Sequence, residues 1–124
     1  MSVFRAELNH RASEQEPSSV DWLEQVDIKG VAVPYKATVG TQPVWDADGK
    51  VIASLFYTYY ERSDVPDKTS RPLALSFNGG PGSASLWMHI AYTGPVALNI
   101  DEEGYPMQPY GVKANPHSIL DVCD

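Results

Sequence analysis

Cysteine is almost missing from this chain. One residue, Cys123, stands in 124. A lone thiol excludes an internal disulfide and any multi-cysteine metal site. Basic residues are also scarce, 9 Lys and Arg against 16 Asp and Glu, for a net charge of −7. Nucleic-acid binding needs clustered Lys and Arg, so no nucleic acid is expected as a partner. The acidic excess by itself implies solubility and little more. Long apolar runs are missing too: none approaches the ~20 residues of a membrane-spanning helix. The stretch from Met1 to Asp21 lacks the apolar core of a signal peptide. A cytoplasmic protein is therefore expected if Met1 is the natural start, and a periplasmic or secreted one if the start lies upstream. No Gly-x-Ser-x-Gly elbow occurs, and no cofactor or metal is implied. What is present is an ordinary globular balance, 43% hydrophobic and 20% charged, with room for one domain at most.

Residues Met1 to Ser19 read as a flexible leader, because Glu14, Glu16, Pro17, Ser18 and Ser19 carry no apolar period. After them the chain is strand-rich. Val26 to Ile28 and Val31 to Val33 flank Gly30, and Tyr35, Ala37 and Val39 continue the alternation. Pro43-Val44-Trp45 and the run Val51 to Tyr60 are separated by Asp46-Ala47-Asp48-Gly49-Lys50. Asp-Gly between two such runs predicts a hairpin. The aromatic and β-branched residues of the second arm favour a strand. A polar loop, Arg62 to Arg71, follows, with Pro66 and Pro72 as breakers. Leu73 to Phe77 then reads as a buried strand, Ser85 to Tyr92 as a mostly buried helix capped by Ser83 or Ser85, and Gly94-Pro95 as its stop. Val96 to Ile100 is a further short strand, closed by the turn Asp101 to Gly104. The remainder is Pro-rich loop until Ile119 to Val122, the expected start of another strand. Antiparallel hairpins followed by strand–helix–strand predict the N-terminal part of an α/β domain, incomplete because an open sheet would keep an unpaired edge.

Between the strand and the helix lies Asn78-Gly79-Gly80-Pro81-Gly82, with three glycines in five residues. Such a turn allows φ > 0 and a close approach of the backbone to a bound group. Amide N–H groups at a strand-to-helix turn are unpaired and partly positive. They suit a carboxylate, a phosphate or the oxyanion of acyl transfer. Read alone, the same turn is also compatible with a tight connection that binds nothing.

The pentapeptide resembles the Asn-Gly-Gly-Pro-Gly signature of the serine carboxypeptidases, a family of the α/β-hydrolase fold. Three more landmarks resemble that family in the same order: the strand Leu55 to Arg62, the Thr93-Gly94-Pro95 stop, and Asn115-Pro116-His117-Ser118. The resemblance covers roughly residues 26–124. Ser83-Ala84-Ser85 and the upstream hairpin are more similar to bacterial members. The resemblance implies that the Gly80 N–H forms half of an oxyanion hole. It implies that Asn78 binds the free C-terminal carboxylate of a peptide or protein substrate, with the Gly79 N–H helping. It departs from the family at Ser83, where many members carry a disulfide-forming cysteine, and at Tyr92, where a glutamate shares in carboxylate recognition. The nucleophile, histidine and aspartate of the family's triad would lie beyond the equivalent of Asp124. Residues 20–124 would thus be the N-terminal portion of a single hydrolase domain, inactive alone. Oligomeric state is left open.

The same residues fit other readings. Gly-Gly-Pro-Gly also occurs in proline-specific aminopeptidases, usually after histidine, and this scaffold can also transfer acyl groups to alcohols. A non-catalytic remnant is the third reading. His10, His89 and His117 are the candidate bases, but nothing in the spacing supports a Ser85–Asp101–His117 triad. Trp45, Trp87 and Phe56 to Tyr60 are expected in the core or on the sheet surface, with Trp87 and Tyr92 as the alternative lining of a side-chain pocket. His89 should be a helix residue that finds a polar partner, not a ligand. Cys123 should be a buried small residue. The acidic cluster Asp101 to Glu103 should be a solvated turn, too short for a cation loop. Asn115 and Ser118 should tie down a loop through side-chain-to-backbone bonds.

Overall fold

The computed structural model describes residues 17–124. The expectations of a leader over residues 1–16 and of a base at His10 lie outside the described residues. Ser18 and Ser19, expected in the leader, instead begin the first strand. Strands β1 (Ser18–Ile28), β2 (Val31–Trp45) and β3 (Val51–Arg62) form a three-stranded sheet in that order. Connections this short force antiparallel neighbours. Between β1 and β2 the turn residues Lys29 and Gly30 both take positive φ, 55° and 82°. That is the backbone of the hairpin turn whose twist matches the strands. The Asp27 carboxylate accepts the Gly30 N–H at 2.8 Å and holds it closed. The Asp46–Lys50 loop closes the second hairpin as expected, with Asp46 Oδ1 accepting the N–H groups of Asp48 at 3.0 Å and Lys50 at 2.9 Å.

The chain divides into two compact units. One comprises Val39–Thr58 with the first residues of β1, and the other comprises Asp21–Thr38 with Tyr59–Asp124. The second unit holds a core of Val26, Ile28, Val33, Tyr35, Ala37 and Leu120, with Trp22 and Tyr60 packed against it. Val33, Tyr35 and Ala37 fall at period two along β2, which places all three on one face. Hence the alternation in the sequence becomes a buried stripe. The aromatic strand β3 forms as expected, but Phe56 remains 67% exposed and Trp45 45%.

Arg62–Arg71 is a loop that carries a 3₁₀ turn, Lys68–Ser70, capped by the Asp67 carboxylate on the Thr69 N–H at 3.0 Å. The segment Leu73 to Phe77 departs from expectation. It is not a regular strand, and Leu75 is 82% exposed. A strand exists only where a neighbour pairs its amides, and one residue does so here. Asp124 donates its N–H to Pro72 at 3.0 Å and accepts the Ala74 N–H at 2.7 Å. Bonds that bracket Leu73 in this way have the pattern of parallel pairing. Ile119–Asp121 is a 3₁₀ turn rather than a strand start, capped by Ser118.

The expected helix forms at Leu86 and continues as a π-helical segment, Met88–Thr93. It ends at Gly94 and Pro95, with the Gly94 N–H reaching back to the His89 carbonyl at 3.0 Å. It is less buried than expected, with Leu86 52% exposed. Strand β4 (Val96–Leu98) packs on it and pairs antiparallel with β5 (Val112–Ala114), Ala97 opposite Lys113. β5 was not expected. Between these two strands the Asp101 carboxylate accepts the N–H groups of Glu103 at 3.0 Å and Tyr105 at 2.8 Å, and the acidic cluster is an exposed turn. Among the described residues no helix is long and apolar enough to cross a membrane.

Candidate functional site

The glycine turn joins the extended segment to the helical one, all within the second unit. Gly80 and Gly82 sit at φ 86° and 79°, the left-handed region. A Cβ at either would meet nothing within 4 Å, so backbone conformation, and not crowding, demands glycine there. The N–H groups of Gly79 and Gly80 have no hydrogen-bond partner among the described residues, and both glycines are exposed. Asn78 is half-buried and held at both ends. Its main-chain N–H donates to Ser85 Oγ at 3.2 Å, and its side-chain Nδ2 donates to Ser83 Oγ at 3.1 Å. Neither serine therefore serves as the expected helix cap. Both hydroxyls are turned back onto Asn78.

The helical segment is fixed from two sides. On one side the His89 ring nitrogen Nε2 shares a hydrogen bond with the Tyr60 hydroxyl of β3. The Tyr60 ring packs edge-on to Tyr35, centroids 5.7 Å apart. Burial lowers the pKa of His89 below 6.5, and burial, aided by Tyr35, pushes the Tyr60 phenol up to about 12. His89 thus finds the polar partner expected of it. On the other side stands the Asn115–Ser118 loop. Asn115 Nδ2 donates to the carbonyls of Tyr92 at 3.0 Å and Gly94 at 2.8 Å, while its Oδ1 accepts the His117 N–H at 3.0 Å. Ser118 Oγ donates to the Thr93 carbonyl at 3.0 Å. These are the side-chain-to-backbone ties expected of that motif.

A buried ion pair anchors the start of the extended segment. Arg71 Nε donates to Asp124 Oδ1 at 2.9 Å, with both side chains under 10% exposed (9% and 8%). The guanidinium Nη2 donates to the carbonyls of Leu120 at 2.9 Å and Cys123 at 2.8 Å. No sequence signal pointed to this pair, since 53 residues separate its members. Cys123 is buried as expected, and burial pushes its thiol pKa up, against any role as a nucleophile.

The Ser85–Asp101–His117 arrangement gains nothing. No hydrogen bond joins the three, Ser85 Oγ serves Asn78, and the Asp101 carboxylate serves its own turn. Trp87 and Tyr92 are 54% and 64% exposed. Among the described residues no group of three or more His, Cys, Asp or Glu side chains could hold a metal.

The profile of the serine carboxypeptidase family matches residues 38–118, which include the whole turn and both of its supports. The chain belongs to the serine carboxypeptidase family. It is 34% identical over 79 residues to the serine carboxypeptidase-like protein 30 of Arabidopsis thaliana, covering 63% of this chain and 15% of that one. It is similarly 30% identical over 79 residues to the Arabidopsis thaliana protein 31, with 63% and 15% covered. To the Arabidopsis thaliana protein 42 it is 44% identical over 59 residues, with 45% and 12% covered. The chain thus spans 15% or less of the length of these curated relatives. No solved structure matches it.

Proposed function

We propose that residues 20–124 supply the N-terminal portion of an α/β-hydrolase domain whose activity is serine carboxypeptidase hydrolysis. The substrate is a peptide or protein with a free C-terminus, cleaved through an acyl-enzyme. In this reading the Gly80 N–H is one of two oxyanion donors. Asn78 and the Gly79 N–H bind the substrate's terminal carboxylate. An exopeptidase must read a carboxylate and stabilise an oxyanion a few ångströms apart, and one glycine turn can present donors to both. Each oxyanion donor is worth about 2.7–4 kcal/mol in the transition state.

The observation that carries the reading is the family match across an exposed turn whose Gly79 and Gly80 amides have no partner among the described residues. The parallel bracketing of Leu73 by Asp124 supports the α/β assignment, because parallel pairing is the signature of that class. The bacterial leaning rests only on Ser83-Ala84-Ser85 and the upstream hairpin.

The test is an assay of the full product of the gene on a blocked dipeptide. Release of the C-terminal residue, abolished by a serine-directed covalent inhibitor, is the expected result. Release that survives the inhibitor would remove the serine mechanism, and no release at all would favour a non-catalytic protein.

A further inference from the structure

His89 and Ser85 link β3 to the glycine turn through hydrogen bonds made by different atoms of the same two residues. The His89 Nε2 meets the Tyr60 hydroxyl. The His89 main-chain N–H donates to the Ser85 carbonyl at 3.2 Å. The Ser85 hydroxyl in turn accepts the Asn78 N–H at 3.2 Å, and Asn78 Nδ2 holds Ser83 Oγ at 3.1 Å. These links lead from a titratable residue, lodged against β3, to the residue assigned to carboxylate recognition.

We infer that Tyr60 and His89 are positioning residues that hold the Asn78–Gly80 turn in its binding geometry while His89 is neutral. The inference rests on the role proposed above for Asn78. A neutral imidazole offers one acceptor nitrogen and one donor, and in the tautomer that leaves Nε2 unprotonated it accepts a hydrogen bond from the Tyr60 hydroxyl. Protonation makes Nε2 a donor. The phenol must then swing its own proton elsewhere, and the charged ring stays half-buried. Burial disfavours the charged ring. The groups that face His89 are the phenol of Tyr60 from β3 and, behind it, that of Tyr35 from β2, on which Glu24 acts. β4, packed on the same segment, carries no titratable residue. Tyr60 keeps its proton to about pH 12 and offers no anion to an imidazolium. Acid therefore loosens β3 from the helical segment, and the turn that hangs on Ser85 shifts with it.

An NMR titration of the 15N-labelled full product of the gene from pH 8 to 5 tests this. The His89 ring nitrogens should titrate with a midpoint below 6.5, and the Asn78, Gly79 and Gly80 amides should move with that same midpoint. In Tyr60→Phe these amides should already sit near their acid positions at pH 8, and in His89→Gln they should be flat across the range. Amides that stay still while His89 titrates, or that move with a different midpoint, would overturn the inference. A merely structural Tyr60–His89 contact would not give them the midpoint of His89. The binding role is separable at pH 8. If a free-acid peptide leaves the three amides unmoved, the carboxylate assignment falls while the pH coupling stands.

Discussion

Asn115 shows how much of this site one side chain can hold. It is 5% exposed, and its amide satisfies the last carbonyls of the helical segment, those of Tyr92 and Gly94. Asn115→Ala would leave the buried Gly94 carbonyl unpaired, with an expected loss of about 1–3 kcal/mol in urea denaturation. Arg71→Ala strips a buried carboxylate of its partner, and about 3–5 kcal/mol should go. His89 sets a pH dependence. Its pKa is lowered by burial in the folded state, so the unfolded chain binds more protons below pH 6.5. Its contribution to stability is whole above 6.5 and is lost as pH falls through the folded value. Thermal melts at pH 7.5 and 5 should show this loss, and His89→Gln should reduce it. The roles of Asn115 and Ser118 were legible, because their residue types favour side-chain-to-backbone ties in loops. That His89 would need a partner was legible as well. That the partner is Tyr60 was not, since 29 residues and the pairing of β3 intervene.

The hairpins were the most readable elements, because their signals are local. Asp48-Gly49 and the Lys29-Gly30 turn fix their loops through bonds spanning at most four residues. Asp46→Ala removes the acceptor of two loop amides and should cost about 1 kcal/mol, read from the shift in thermal midpoint. Leu73 to Phe77 was misread for the opposite reason. Strand propensity expresses packing against neighbours, and here a single residue, Asp124, pairs with the segment. With Leu75 at 82% exposure, Leu75→Glu should change the stability of this chain by less than about 0.5 kcal/mol. A buried strand would suffer several-fold more. β5 escaped notice because three residues between prolines and a glycine carry no period. The helix was found, but not its widened π turn, which depends on the Gly94-to-His89 bond.

For the molecule as a whole, family membership came from the order of four motifs, and the profile match over residues 38–118 agrees with it. The chemistry proposed for the turn rests on its conformation: positive φ at Gly80 and Gly82, Gly79 and Gly80 amides with no partner among the described residues, and an Asn78 gripped by two serines. The measurement that bears most directly on it compares two substrates of the full gene product, one with a free C-terminal carboxylate and one with that carboxylate amidated. Losing a hydrogen bond to a charged group costs about 1.5–3 kcal/mol, so Asn78→Ala should lower kcat/KM roughly ten- to a hundredfold on the free acid and leave the amide almost unchanged. Equal losses on both substrates, or none on either, would contradict the assignment of this turn to carboxylate recognition.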